Sequence, residues 1–240
     1  MLDCAAETII DCAVAAGFDG IGLRLSGDQP GIDLDAIRRH AAGNGVHIHD
    51  VEVHRITADS AGADELIARA VTVGASALLV VSDLTDRAAT VQAVGTLRKQ
   101  CAANGLRLGL EYMAWTDPST PMDAIDVARQ TGCELVVDLL HHFRVGAGVD
   151  ELNAIVAAGV LGWIQICDAL AVSPEPTDLI HEARHGRLLP GHGALPLRSL
   201  LARLPVGTVV SVEVQSDDLL AVPPMERVQQ LLEATRRVLE

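Results

Sequence analysis

Aromatic side chains are almost missing: the 240 residues hold two Trp, one Tyr and two Phe, 2% in all. A large core must then be filled by Ala, Val, Leu and Ile, a composition suited to parallel strands buried on both faces. Basic residues are also scarce, 18 Lys and Arg against 32 Asp and Glu, for a formal net charge of −14. That balance argues against a nucleic-acid backbone or an anionic membrane as partner, because no local basic patch interrupts the acidity. No apolar run approaches the roughly 18 residues that span a bilayer, and no basic segment with an apolar core opens the chain. The five cysteines, Cys4, Cys12, Cys101, Cys133 and Cys167, are scattered without zinc-knuckle or redox spacing and read as buried thiols in a reducing cytosol. A cytoplasmic protein with a small-molecule partner is the expectation.

What the sequence does contain is a rhythm. Short apolar runs at 20–25, 46–55, 77–82, 106–112, 134–139, 163–167 and 208–215 alternate with amphipathic stretches at 5–16, 34–44, 64–74, 86–104, 122–131, 150–158, 197–204 and 225–239. Alternation of this kind predicts a parallel sheet with helices outside, and the length is close to the roughly 250 residues of a (β/α)₈ barrel. No linker or composition shift divides the chain, so residues 1–240 are read as one domain. Gly17, Gly74 and Gly132 each end a helical stretch just before a strand. The long connection 169–195, with Pro174, Pro176 and Pro190, predicts either disorder or an active-site lid. The rhythm opens on a helix, so a barrel of eight strands lacks its first. A late start, closure with seven strands and a strand from another chain each account for this, and a truncated or unusual start is the favoured expectation.

Functional groups of parallel barrels gather at the C-terminal ends of strands. Four consecutive late strands end in an oxygen side chain: Glu111 in LGLEYM, Asp138 in LVVDLLHH, Gln165 in WIQICD and Glu213 in VSVEVQS. A carboxylate set into such apolar runs is costly to bury unless paired or metal-bound. An all-oxygen set without thiolate or imidazole suits Mg²⁺ or Mn²⁺ better than zinc, with Co²⁺ as a substitute. His141 leaves its strand three residues after Asp138 and could serve a substrate oxygen; His142 is the weaker of the pair. Arg24, Arg144 and Arg187 are candidates to clamp a substrate carboxylate or phosphate. Asp168 is expected to orient a loop or a ligand. His47, His49, Glu52 and His54 resemble a second metal cluster, but strand alternation divides them between two faces. His181, His185 and His192 read as solvated loop residues.

The order Glu, Asp, Gln, Glu, together with VDLLHHFRVG, IQICDA and RLLPGHG, resembles the xylose isomerase-like TIM-barrel superfamily over nearly the whole chain. That resemblance implies one divalent metal on Glu111, Asp138, Gln165 and Glu213, with His141 on the substrate side. It implies an isomerase or epimerase acting on a small hydroxy-carbonyl compound through an enediolate, with Glu111 and Glu213 as base and acid. Gln165 replaces the His usual in ketose 3-epimerases and matches hydroxypyruvate isomerases and 3-dehydroshikimate dehydratases, so a metal-dependent lyase is the alternative. A degenerate, non-catalytic barrel is a second alternative, while a DNA-repair endonuclease of the same superfamily is disfavoured by the charge. His192 stands in PGHG where the family often has Glu. A homodimer is one expectation for the assembly.

Overall fold

The computed structural model describes residues 3–25, 32–59 and 62–240. Helix α1 (Ala6–Ala16) leads into β1 (Gly20–Arg24), and the alternation continues through α2 (Leu34–Gly43), β2 (His47–Ile56), α3 (Ala63–Val73) and β3 (Ala77–Ser82). It then runs through α4 (Arg87–Ala103), β4 (Arg107–Glu111), α5 (Pro121–Thr131), β5 (Glu134–Asp138), α6 (Leu139–Arg144), α7 (Val149–Ala157) and β6 (Leu161–Ile166). The last part holds α8 (Leu179–His185), α9 (Leu197–Leu201), β7 (Val209–Val212), α10 (Asp217–Leu220) and α11 (Pro224–Leu239). The seven strands found among the described residues are parallel neighbours in the order β1 to β7. The result is a nearly closed (β/α) barrel with one strand missing, as the sequence rhythm predicts.

Local chemistry explains the helix boundaries. Asp33, Asp86 and Thr120 each accept a hydrogen bond from the backbone N–H three residues on, which starts α2, α4 and α5. Gly74 and Gly132 stop α3 and α5 in the left-handed conformation, at φ 81° and 73°. Two expectations shift. The stretch 134–139 ends as a strand at Asp138, because that carboxylate accepts hydrogen bonds from the N–H groups of Leu140 and His141 and so starts α6. The connection 169–195 is not featureless: it carries a 3₁₀ turn, Pro176–Asp178, and then α8.

Three apolar clusters hold the layers together, the smallest of them Leu140, Cys167, Ala169 and Ala183. The largest lies between sheet and helices and includes Ile10, Ile37, Leu78, Leu108, Leu135 and Ile164. A second fills the lumen with Ala77, Leu79, Val81, Met113, Val136 and Trp163. Trp163 fits only because Gly109 on β4 has no side chain; a Cβ there would fall inside the indole ring's van der Waals envelope. The lumen below the C-terminal rim is thereby plugged, which leaves chemistry to the rim.

Among the described residues no ladder joins β7 to β1. A cavity of about 970 Å³ opens there, with Ile21 and Leu23 on one wall and Val210 and Val212 on the other. Helices α1 and α11 pack against each other across the outside of this opening. Arg227, buried at the start of α11, donates to both carboxylate oxygens of Asp3 at 2.6 and 3.0 Å and ties the two termini together. Among the described residues no helix is long and apolar enough to cross a membrane.

Candidate metal centre

Neighbouring strands deliver the four oxygen side chains to one rim. Asp138 and Gln165 are register partners on β5 and β6, Glu111 ends β4 and Glu213 follows the last residue of β7. Glu111, Asp138 and Gln165 are buried, at 8%, 1% and 3% exposure, and Glu213 is partly buried. The ligating atoms of Glu111, Asp138 and His141 lie within 4.8 Å of one another. Glu213 stands to one side, its Oε1 accepting from Gln215 at 2.8 Å and its Oε2 lying 3.8 Å from Arg187.

The electrostatics are those of crowded acids. Burial, then the neighbouring Asp138 and Glu213 carboxylates, push the Glu111 carboxyl well above its ordinary range. Burial opposes ionisation of Asp138 too, but the Arg187 guanidinium 2.6 Å away, with the hydrogen bonds it accepts, brings it below its ordinary value. Burial, with a contribution from Arg187, lowers His141 to about 4, against the pull of Asp138. His141 is therefore neutral at pH 7, and its 3.7 Å approach to Glu111 is a contact between a neutral ring and a carboxyl group rather than an ion pair. Among the described residues the Gln165 Oε1 is buried without a hydrogen-bond partner. An unsatisfied buried acceptor of this kind costs about 1–3 kcal/mol. A hard cation bound here would supply the partner that the Gln165 oxygen lacks and would draw on the neighbouring Glu111 and Asp138 carboxylates, so the donor set fits a divalent metal.

The surrounding residues sort clearly. Arg187 is buried and fully engaged: Nη1 donates to Asp138 and to the Glu213 carbonyl at 3.3 Å, and Nε donates to the Ala183 carbonyl at 2.8 Å. Arg144 forks onto Glu182 at 2.5 and 2.7 Å and also donates to the Leu170 carbonyl. Arg24 is exposed and lines the cavity. His142 bridges Tyr112 at 2.6 Å and the Gly148 carbonyl at 2.8 Å, deep in the fold. Asp168 accepts from the N–H groups of Ala169, Gly191 and Leu195 and so pins the loop that carries PGHG. His192, within that loop, is exposed. His47 pairs with Ser76 at 3.0 Å and His49 packs edge-on against Trp163, so with Glu52 and His54 they do not assemble into a metal cluster among the described residues.

Two groups escape a reading of the sequence. Trp115, in the loop after β4, stands edge-on to His141 with ring centroids 5.2 Å apart. Asp50, on β2, is buried and lines the cavity together with Glu52, Gln165 and Glu213. Its place on the same strand face as Glu52 was available from alternation.

A family model described as a xylose isomerase-like TIM barrel matches residues 10–238. A comparison with curated proteins returns no match. Among solved structures, a fusion protein of a xylose isomerase-like TIM barrel with 4-hydroxyphenylpyruvate dioxygenase is 21% identical, with a TM-score of 0.83 over 97% of this chain. This chain spans 40% of the fusion protein's length. The IOLI protein, solved with a bound zinc atom, is 17% identical with a TM-score of 0.84, covering 98% of this chain and 95% of its own. D-allulose 3-epimerase from Methylomonas sp. is 18% identical with a TM-score of 0.74, covering 99% and 94%. These structural likenesses establish the fold.

Proposed function

This chain belongs to the xylose isomerase-like TIM barrel family, and we propose that it is a divalent-metal-dependent isomerase or epimerase of a small hydroxy-carbonyl compound. The observation that carries this reading is the rim itself: Gln165 Oε1, buried without a hydrogen-bond partner among the described residues, beside the cluster of Glu111, Asp138 and His141. Structural relatives include a protein with bound zinc and a ketose epimerase, which supports a metal and this class of chemistry. The residues that would hold the cation are Glu111, Asp138, Gln165 and Glu213, and their oxygen-only character favours Mg²⁺ or Mn²⁺.

When bound, the cation supplies charge neutralisation for the oxygens of an enediolate. The chain's own groups supply the rest. Glu111, buried at the end of β4, and Glu213, the more open carboxylate after β7, are placed to exchange a proton with the substrate in turn. The neutral His141 can donate to a substrate oxygen without adding charge, and Trp115 shields its face. Arg187 fixes the orientation of Asp138. Gln165 also favours a second reading, a metal-dependent lyase of the dehydratase type, since the resemblance places Gln there in both groups.

Incubation with Mn²⁺ and a panel of ketoses and keto acids in D₂O tests the proposal. Carbon-bound deuterium seen by NMR is the expected result. Loss of water with an ultraviolet-absorbing product supports the lyase instead, and neither signal across the panel overturns both.

A further inference from the structure

Two members of the rim cluster have chain neighbours that meet behind it. Glu111 is followed by Tyr112 and His141 by His142. Glu111 and His141 face each other on the rim, while Tyr112 lies in the core between sheet and helices, where His142 joins it. On the rim side the His141 ring stands 3.7 Å from the Glu111 carboxyl, too far for a hydrogen bond. On the core side the Tyr112 hydroxyl and His142 Nδ1 are 2.6 Å apart, and the two residues are 1% and 0% exposed. The direct bond between the end of β4 and the first turn of α6 is therefore the buried one.

The direction of that bond follows from its surroundings. His142 Nε2 lies 2.8 Å from the Gly148 carbonyl, which can only accept, so Nε2 carries a proton and donates it. The Gly148 N–H donates in turn to Glu151 at 2.8 Å, which holds this carbonyl at the start of α7. Burial favours the neutral imidazole, and a neutral ring with its proton on Nε2 has a bare Nδ1. Tyr112 thus donates its O–H to His142 Nδ1. A continuous line of bonds runs from β4 through α6 to α7, with no charged group in it before Glu151.

We propose that Tyr112 and His142 are positioning residues, whose hydrogen bond sets the spacing of Glu111 and His141 on the rim. This deepens the isomerase reading and rests on it for what Glu111 and His141 do. The pair acts through its chain neighbours: loss of the hydroxyl lets the end of β4 shift against α6, and Glu111 shifts with it. Groups that orient metal ligands from behind typically change metal affinity by about 10–100-fold when removed.

The test uses the full chain as wild type, Tyr112→Phe and Val127→Ala, the last a core truncation on α5 that serves as a control for general loosening. Long-range ¹H–¹⁵N NMR reads the tautomer and environment of each histidine ring, and Mn²⁺ titration under electron paramagnetic resonance reads the metal set. In the wild type the His142 proton should sit on Nε2. Tyr112→Phe should move the His141 ring resonances and weaken Mn²⁺ binding about tenfold, while Val127→Ala leaves both as in the wild type. A His142 ring protonated on Nδ1, a folded Tyr112→Phe with unmoved His141 signals, or an equal Mn²⁺ loss in Val127→Ala overturns the assignment. Thermal melts confirm folding, and the wild-type tautomer decides the matter even if Tyr112→Phe does not fold. A wild type that takes up no Mn²⁺ removes the metal-dependent reading, and the His141 signals of Tyr112→Phe then decide the positioning role alone. Wild-type Mn²⁺ uptake with those signals unmoved removes the positioning role and leaves the isomerase reading.

Discussion

Arg187 Nη1 lies 2.6 Å from Asp138 Oδ2, and the two side chains are 3% and 0% exposed. A charge so deeply buried is tolerated because its partner is present, and removing one member leaves the other uncompensated. Arg187→Ala is expected to destabilise the fold by about 3–5 kcal/mol. Urea denaturation checks this, and a loss under about 1 kcal/mol would show that water replaces the guanidinium without cost.

His49 gives stability a pH dependence. Burial lowers its folded value to about 4 from 6.5, so the unfolded chain takes up a proton first as pH falls. Its contribution is intact above pH 6.5, declines between 6.5 and 4, and is lost below. The loss of stability as pH drops through that window should be steeper in the wild type than in His49→Leu. Parallel curves would place the titration elsewhere.

Asp50 acts with the opposite sign. Burial, then Glu213, raise it to about 7, so the folded state resists an ionisation that the unfolded state completes near pH 4. Stability is lost as pH rises from there toward 7. Asp50→Asn should therefore raise Tm at pH 8 and leave it nearly unchanged at pH 4. A lower Tm at pH 8 would contradict an Asp50 whose ionisation the fold opposes.

The PGHG loop depends on Gly193. A Cβ there would clash with the Ala169 carbonyl and the Asp168 carboxylate, groups that pin the loop to the rim. Gly193→Ala is expected to cost about 1–3 kcal/mol and to increase proteolytic cleavage within 186–195. Wild-type resistance to protease would show that the loop is not held through Asp168.

Much of this was legible in the sequence because it is periodic. The apolar runs mark all seven strands, and the strand-end positions of Glu111, Asp138, Gln165 and Glu213 follow from where each run stops. What periodicity could not show is partnership. Arg144 and Arg187 look alike as free cations in the sequence, yet Glu182 and Asp138 engage them from 38 and 49 residues away. The helix α6 was hidden because its start depends on a side-chain bond from Asp138, a residue that also reads as the end of a strand. Asp50 was overlooked because its importance lies in a cavity bounded by β1, β2 and β7, which no local window contains.

Metal binding tests the central claim most directly. The chain, stripped with chelator and titrated with Mn²⁺ under electron paramagnetic resonance, should take up one equivalent. Asp138→Asn and Glu213→Gln should each weaken that binding on the order of a hundredfold. A wild-type protein that binds no divalent ion, or variants that bind it as tightly as the wild type, would contradict a metal centre on Glu111, Asp138, Gln165 and Glu213.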